Sequence, residues 1–342
     1  MIRHPFTWAF GAAAVTGALL YTAGVWRAMD VALNWMPARA DSGQLRREVR
    51  AETASLLGRW SLGCLAAAAA MGLFGIAVIW PNLIPGAMCG TGVLQAMGAD
   101  GIRAMIFWGA ALIILYGWHV IDRLDRFFPR GLLIQPCARL MILSAPFLLL
   151  ALFHSWRALL NVDATPAVSC CAAVYDKVLD EQAAGLISAG AIPMVLWGSL
   201  AGGVVLLAAA LQKIRAPLRG SCAWLGVMAP FWMVAAGVGV KQVWSAYYYQ
   251  VLSHPCPWCL FLPDHNGAGF FIYGAIAMVF AECTVLFLID RVRRRHEALA
   301  GPAAKRIRRG GRRIVFALVV FTVLTMGPAL CWRLRTGVWL GG

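Results

Sequence analysis

Residues 253–263 read Ser253-His254-Pro255-Cys256-Pro257-Trp258-Cys259-Leu260-Phe261-Leu262-Pro263, and soon afterwards the chain enters AGFFIYGAIAMVFAECTVLFLID, residues 268–290. The second stretch decides the fold. Its length matches the roughly 20 apolar residues a helix needs to cross the hydrocarbon core of a bilayer. Comparable runs lie near 7–27, 60–80, 103–121, 138–158, 186–212, 221–243 and 314–334. Eight such runs predict an all-α polytopic membrane protein with about eight transmembrane helices. Composition agrees: of 342 residues 61% are hydrophobic and 13% charged, with a mean hydropathy of +0.72. A soluble domain carries about 25% charged residues.

The net charge of +15 is distributed by linker. Arg39, Arg46, Arg47, Arg50 and Arg59 fall in 28–59; Arg123, Arg126 and Arg130 in the third linker; Lys213, Arg215 and Arg219 in the fifth; ten Lys and Arg in 291–313. These alternate with basic-poor linkers at 81–102, 159–185 and 244–267. Lys and Arg resist translocation, so one topology follows, with both termini and the basic-poor loops outside. The basic residues flank spans and accompany no nucleic-acid-binding motif, which argues against nucleic acid as a partner. The first span reads as a retained helix. No small-residue cleavage site follows it, and cleavage would leave the Arg-rich 28–59 segment outside. That segment is predicted to be a partly amphipathic cytoplasmic helix, and 291–313 a flexible basic loop facing anionic headgroups.

The ten cysteines sort by side. Cys89 falls in the first outer loop, Cys170 and Cys171 in the second, Cys256 and Cys259 in the third, and Cys331 near the outer end of the last helix. Cys137 and Cys222 lie at cytoplasmic helix ends and Cys64 and Cys283 in mid-span, where a thiol packs as a small apolar group. Outside a bacterial inner membrane, or in a comparable lumen, disulfides persist. The outer cysteines are therefore read as disulfide-forming, either as staples or as a redox relay.

Cys256 and Cys259 favour the relay. Two intervening residues let a disulfide close a small ring, and a helix start favours the thiolate. Pro257 and Trp258 stiffen and shield that ring. Pro263 separates the motif from the long span and predicts a one-turn helix at the membrane surface. The haem-attachment variant of C-x-x-C needs His after the second Cys; Leu260 stands there. Structural zinc wants four ligands, and no second C-x-x-C or H-x-x-x-H supplies them. Met88-Cys89 with Met97 offers soft Cu(I)-type donors, for which gap-filling methionine is the plainer reading. No metal site is therefore assigned. His119 and His154 sit at opposite depths, so no b-type haem is expected.

The second outer loop reads Ser169-Cys170-Cys171-Ala172-Ala173-Val174, and Gly190-Ala191-Ile192-Pro193 opens the next helix. This resembles the vitamin K epoxide reductase family, which has a Ser-Cys segment followed by Val in this loop, a Gly followed by Pro at the next helix start, and a C-x-x-C at the outer end of its fourth helix. The resemblance covers about 137–290 and implies a four-helix bundle there, between a three-helix region at 1–136 and a basic loop with a last helix at 291–342. DsbB-type oxidoreductases share the chemistry but place their C-x-x-C before the second cysteine loop. What the resemblance implies is a quinone-facing pair, Cys256 and Cys259, with Cys259 nearer the quinone. Cys170 or Cys171 would shuttle electrons from a periplasmic thioredoxin-like protein. The family's other shuttle cysteine has no counterpart in Asn161–Ser169. Either Cys89 pairs with Cys170 or Cys171, or the two adjacent cysteines bond each other, or shuttling is lost or rerouted.

Trp244, Tyr247, Tyr248, Tyr249, Trp258, Phe261, Phe270 and Phe271 surround the motif in sequence and suit a flat quinone ring or an interfacial aromatic belt. Trp258, Phe261, Tyr248 and Lys241 are the candidate cofactor-binding residues. Lys241 either stabilises a quinol anion or thiolate or snorkels to the surface; His254 and His265 are candidate proton donors. Glu282, deep in its span, is expected to face the bundle interior. Two functions stay open. One is a membrane thiol-disulfide oxidoreductase linked to quinone. The other is a non-catalytic subunit or assembly factor of a larger membrane complex, its cysteines holding loops or a metal.

Overall fold

The computed structural model describes residues 1–36, 41–128, 131–162, 192–250 and 256–339. All eight expected spans are present as helices long and apolar enough to cross a membrane. They are α1 (Pro5–Asn34), α2 (Ser42–Phe74), α3 (Gly90–Asp125), α4 (Ile134–Leu160), α5 (Ile192–Arg215), α6 (Ala223–Gly239), α7 (Ala268–Arg293) and α8 (Ala300–Thr336). No strand occurs among the described residues. Residues 28–34 belong to α1 and 42–59 to α2, not to a helix of their own as expected; Asp41 caps α2 by accepting from the Gln44 N–H at 2.7 Å. α6 runs on through a π-turn, Val240–Trp244, to Ser245–Tyr249. α3 breaks at Gly98, whose φ of 61° is readily open only to glycine.

The chain forms two compact units. The first comprises Met1–Pro85 and Val93–Val168 and holds α1, α2, α4 and nearly all of α3. Its helices are tied by buried polar contacts. The Ser61 hydroxyl donates to the Gly17 carbonyl at 2.9 Å, and Arg59 Nη2 meets Asp122 Oδ2 at 2.6 Å. Tyr21 donates from α1 to the Met141 carbonyl of α4. His154, a haem ligand candidate set aside on depth, pairs with Asp100 at 2.7 Å.

The second unit comprises Gly86–Gly92 and Ser169–Gly342. In it α5 packs on α6, α6 on α7, α7 on α8 and α8 back on α5, a closed four-helix ring. Trp232 fills its centre. Its indole N–H donates to the Ser199 carbonyl of α5 at 3.0 Å and its ring meets Phe321 of α8 edge-on at 5.4 Å. At the basic end, Asp290 of α7 accepts from the Cys222 N–H at 2.9 Å and pairs with Arg293 and Arg294.

The packed four-helix ring of the second unit is α5–α8, and α4 belongs to the first unit. The expected loop at 291–313 changes. Residues 300–313 are not a loop but the first turns of α8. Glu282, 2% exposed, holds them to α7: its carboxylate oxygens meet Arg306 at 2.9 Å and Arg313 at 2.8 Å. The interior-facing carboxylate expected from the sequence thus has its partners.

Candidate functional site

Three cysteines meet in the second unit. Cys256 precedes a five-residue 3-10 helix, Pro257–Phe261, and Cys259 lies within it. Pro257 has no N–H to leave unsatisfied and its φ is preset, so the turn begins directly after Cys256. The Leu262 N–H donates to the Cys259 carbonyl at 3.1 Å. Pro263 opens a second short turn, and Asn266 and Gly267, at φ of 52° and 61°, redirect the chain into α7. The motif therefore sits on its own turn ahead of the span, as Pro263 predicts. Cys89 ends the connection before α3; its carbonyl accepts from the Gly92 N–H at 3.0 Å.

The Cys89 and Cys256 sulfurs are 3.5 Å apart, and all three sulfurs lie within 4.8 Å of one another. Cys89, Cys256 and Cys259 are 0%, 3% and 8% exposed. Neighbouring groups fix this trithiol. The Tyr249 hydroxyl donates to the Cys256 carbonyl at 2.6 Å. The Trp258 indole lies on Gly90, where a Cβ would stand 2.5 Å from a ring carbon. Thr91 Oγ1 is 3.2 Å from the Cys256 sulfur. The Cys259 thiol beside it, then the Cys89 thiol, hold the Cys256 thiol well below its ordinary pKa, with Thr91 adding to them and burial opposing. Cys256 is thus the hub: a thiol of lowered pKa in reach of two other sulfurs.

The remaining nominated residues separate. Phe261, 5% exposed, stacks on Tyr273 at 5.6 Å, meets Phe270 edge-on at 4.8 Å and lies 5.3 Å from Trp258. Tyr248 does not turn its hydroxyl to the cysteines; it donates to the Leu324 carbonyl of α8 at 2.7 Å. Phe271 is 62% exposed. Lys241 lies in the π-turn, and its carbonyl accepts from the Ser245 hydroxyl. The His265 ring packs against Tyr249 at 4.8 Å. Cys170, Cys171 and His254 lie outside the described residues. The sequence offers Cys170 or Cys171 as the partner of Cys89; the structure sets Cys89 against Cys256.

Thr91 and Tyr273 escape sequence reasoning. For Thr91 a signal exists: Gly90 and Gly92 flank it directly after Cys89, and glycine beside a functional loop residue marks close approach. A cavity of about 920 Å³ opens in the first unit, lined among others by Glu48, Glu52, Asp122, Asp125 and Trp118, none of them nominated from the sequence. No protein-family model, curated protein or solved structure matches the chain.

Proposed function

We propose that this is a membrane thiol-disulfide oxidoreductase. It would pass electrons from a thiol protein of thioredoxin-like kind, on the basic-poor side of a bacterial inner membrane, to a membrane quinone. The observation that carries the reading is the 3.5 Å contact between Cys89 and Cys256, beside a C-x-x-C pair on the same side. Staples need two sulfurs; a third within 4.8 Å of both allows exchange.

The exchange is balanced at sulfur. With Cys256 and Cys259 joined, the Cys89 thiolate attacks the Cys256 sulfur. A Cys89–Cys256 bond forms, the Cys256–Cys259 bond breaks, and Cys259 leaves as thiolate. The reverse step regenerates the pair. Burial excludes bulk water, while the neighbouring thiols and Thr91 favour negative charge on Cys256 when the trio is reduced. Cys170 and Cys171 are the proposed entry thiols, one step outside this centre.

The residues beside the pair fit a quinone in kind: an apolar aromatic border formed by half-buried Trp258 with Leu262, over the packed ring of Phe261. A bound quinone would supply the two-electron oxidant, taking two electrons and two protons from the dithiol. Tyr248 is better assigned to holding α6 on α8. Kinship with vitamin K epoxide reductases belongs to this proposal. It rests on the order of the cysteines and the motif before α7, with the bundle displaced by one helix.

The test is quinone reduction by dithiothreitol or a reduced thioredoxin-like protein, using purified protein in nanodiscs. Cys256→Ser and Cys259→Ser are expected to fall to background, and Cys259→Ser to accumulate the Cys89–Cys256 disulfide in a peptide mass map. Either serine variant reducing quinone at the parent rate would sink the reading.

A further inference from the structure

The three sulfurs meet more than the needs of exchange. We infer that the reduced trio of Cys89, Cys256 and Cys259 captures one thiophilic d10 metal ion, Zn(II) or Cu(I), and that the metal-bound form is closed to thiol–disulfide exchange. Capture follows from the geometry alone; the second half rests on the exchange reading above.

Distance is the first support. Metal–sulfur bonds of about 2.3 Å put bound thiolates about 3.8–4.0 Å apart in tetrahedral or trigonal geometry. The sulfurs here span 3.5 Å to at most 4.8 Å without a metal, so small side-chain rotations suffice. Chemistry is the second. Among the described residues the group contains sulfur alone, without carboxylate or imidazole, and such a set selects Cu(I) and Zn(II) over hard cations. Met88, which the sequence places next to Cys89 as a further soft donor, is 65% exposed, so among the described residues the donor set is the three thiols.

Charge and rigidity complete the case. Three buried thiolates cannot persist together without a counter-charge. Zn(II) leaves one net negative charge on the group. Cu(I) leaves one as well if one sulfur keeps its proton. The Thr91 hydroxyl, 3.2 Å from the Cys256 sulfur, is the polar group placed to orient a bound thiolate or take an open position. The scaffold is held by the Tyr249–Cys256 hydrogen bond and the Trp258–Gly90 packing, so the ligands are positioned before metal arrives.

Capture and exchange exclude each other. Forming either disulfide removes two electrons and two protons from two thiols and leaves one thiol, which is too few to hold the ion. Conversely, coordination occupies the lone pairs that attack a disulfide.

The experiment uses full-length protein in detergent. It is reduced with TCEP or oxidised with diamide, loaded separately with zinc chloride or with Cu(I) under bathocuproine competition, desalted, and measured by plasma mass spectrometry. One equivalent of either metal in the reduced sample and none in the oxidised sample is expected. Bound metal should shield Cys89, Cys256 and Cys259, but not Cys331, from N-ethylmaleimide in a peptide map. Cys89→Ser should weaken binding by more than about 100-fold, beyond the 10–100-fold that loss of a supporting residue costs, while Cys331→Ser should bind as the parent does. The alkylation map answers the question even if Cys89→Ser does not fold. Reduced protein that holds neither metal overturns capture, as does metal that leaves the trio open to maleimide. If the trio still cycles between thiol and disulfide in that sample, the exchange reading survives the loss. Metal held equally after diamide, with all three thiols still reduced, keeps capture but overturns both the gating and the exchange reading.

Discussion

At the scale of single residues, the site turns on what stands beside Cys89. Gly90 lets the Trp258 indole lie on the backbone, and a Cβ there would stand 2.5 Å from the ring. Backbone cannot yield easily, so Gly90→Ala should displace the indole and loosen the C-x-x-C turn. A destabilisation of about 1–3 kcal/mol is typical of overpacking and would show in thermal unfolding; an unchanged midpoint would refute the contact. Thr91 acts on chemistry instead. Its hydroxyl helps the neighbouring thiols hold the Cys256 thiol below its ordinary pKa. A depressed pKa means the thiolate persists as pH falls, until pH passes through the lowered value. Thr91→Val keeps the shape and removes the donor. The midpoint of the pH profile for Cys256 alkylation, taken with a chelator present, should therefore move upward, and a profile that stays in place would remove Thr91 from the site. The C-x-x-C was readable because its spacing is local. The contact of Cys89 with Cys256 bridges 167 positions, and no periodicity encodes it.

At the scale of elements, α8 carries the clearest lesson. Gly301, Pro302, Gly310 and Gly311 among many arginines read as a flexible loop. Pro302, however, lies in the first turn, where proline is tolerated, and Ala, Lys and Arg favour helix. The two central glycines serve close approach: a Cβ at Gly310 would stand 2.7 Å from Leu286 of α7, and one at Gly311 2.9 Å from the Ala210 carbonyl of α5. Arg306 and Arg313, seven residues apart, share one face and both reach Glu282. Removing the carboxylate takes a charged partner at 2.9 Å from the more enclosed guanidinium. Glu282→Ala should cost about 3–5 kcal/mol, the range for one partner lost from a buried pair. Arg306, with 13% of its side chain exposed, should matter more than Arg313 at 46%. Thermal unfolding of Arg306→Met and Arg313→Met in detergent checks the order, and equal midpoints would contradict it. Tertiary contacts of this kind also explain why span positions could be read from hydropathy while bundle membership could not. Apolar length says that α4 crosses a membrane, but only the bonds it makes say which helices it joins.

At the scale of the whole molecule, the trithiol constrains the topology independently of charge. Between Cys89 and Cys256 the described residues hold four helices long and apolar enough to span, α3, α4, α5 and α6. An even number of crossings returns the chain to the side it left, so two sulfurs 3.5 Å apart require that parity. An eight-helix reading that lost or gained one span in this interval would put them on opposite faces. If α7 and α8, both long and apolar enough to span, each cross once, the exposed Cys331 is predicted on that same side. The alternation of basic linkers reaches the same arrangement from a different physical cause, the resistance of Lys and Arg to translocation. The charge argument predicts that a membrane-impermeant maleimide added to intact cells labels Cys331, and parity that Cys331 shares the side of the trithiol. A cysteine placed at Arg309, in a Cys331→Ser background, should react only after the membrane is opened. Labelling of both positions from one side would mean that α8 does not cross between them. The parity argument between Cys89 and Cys256 would then stand alone, because it rests on helices that precede α8.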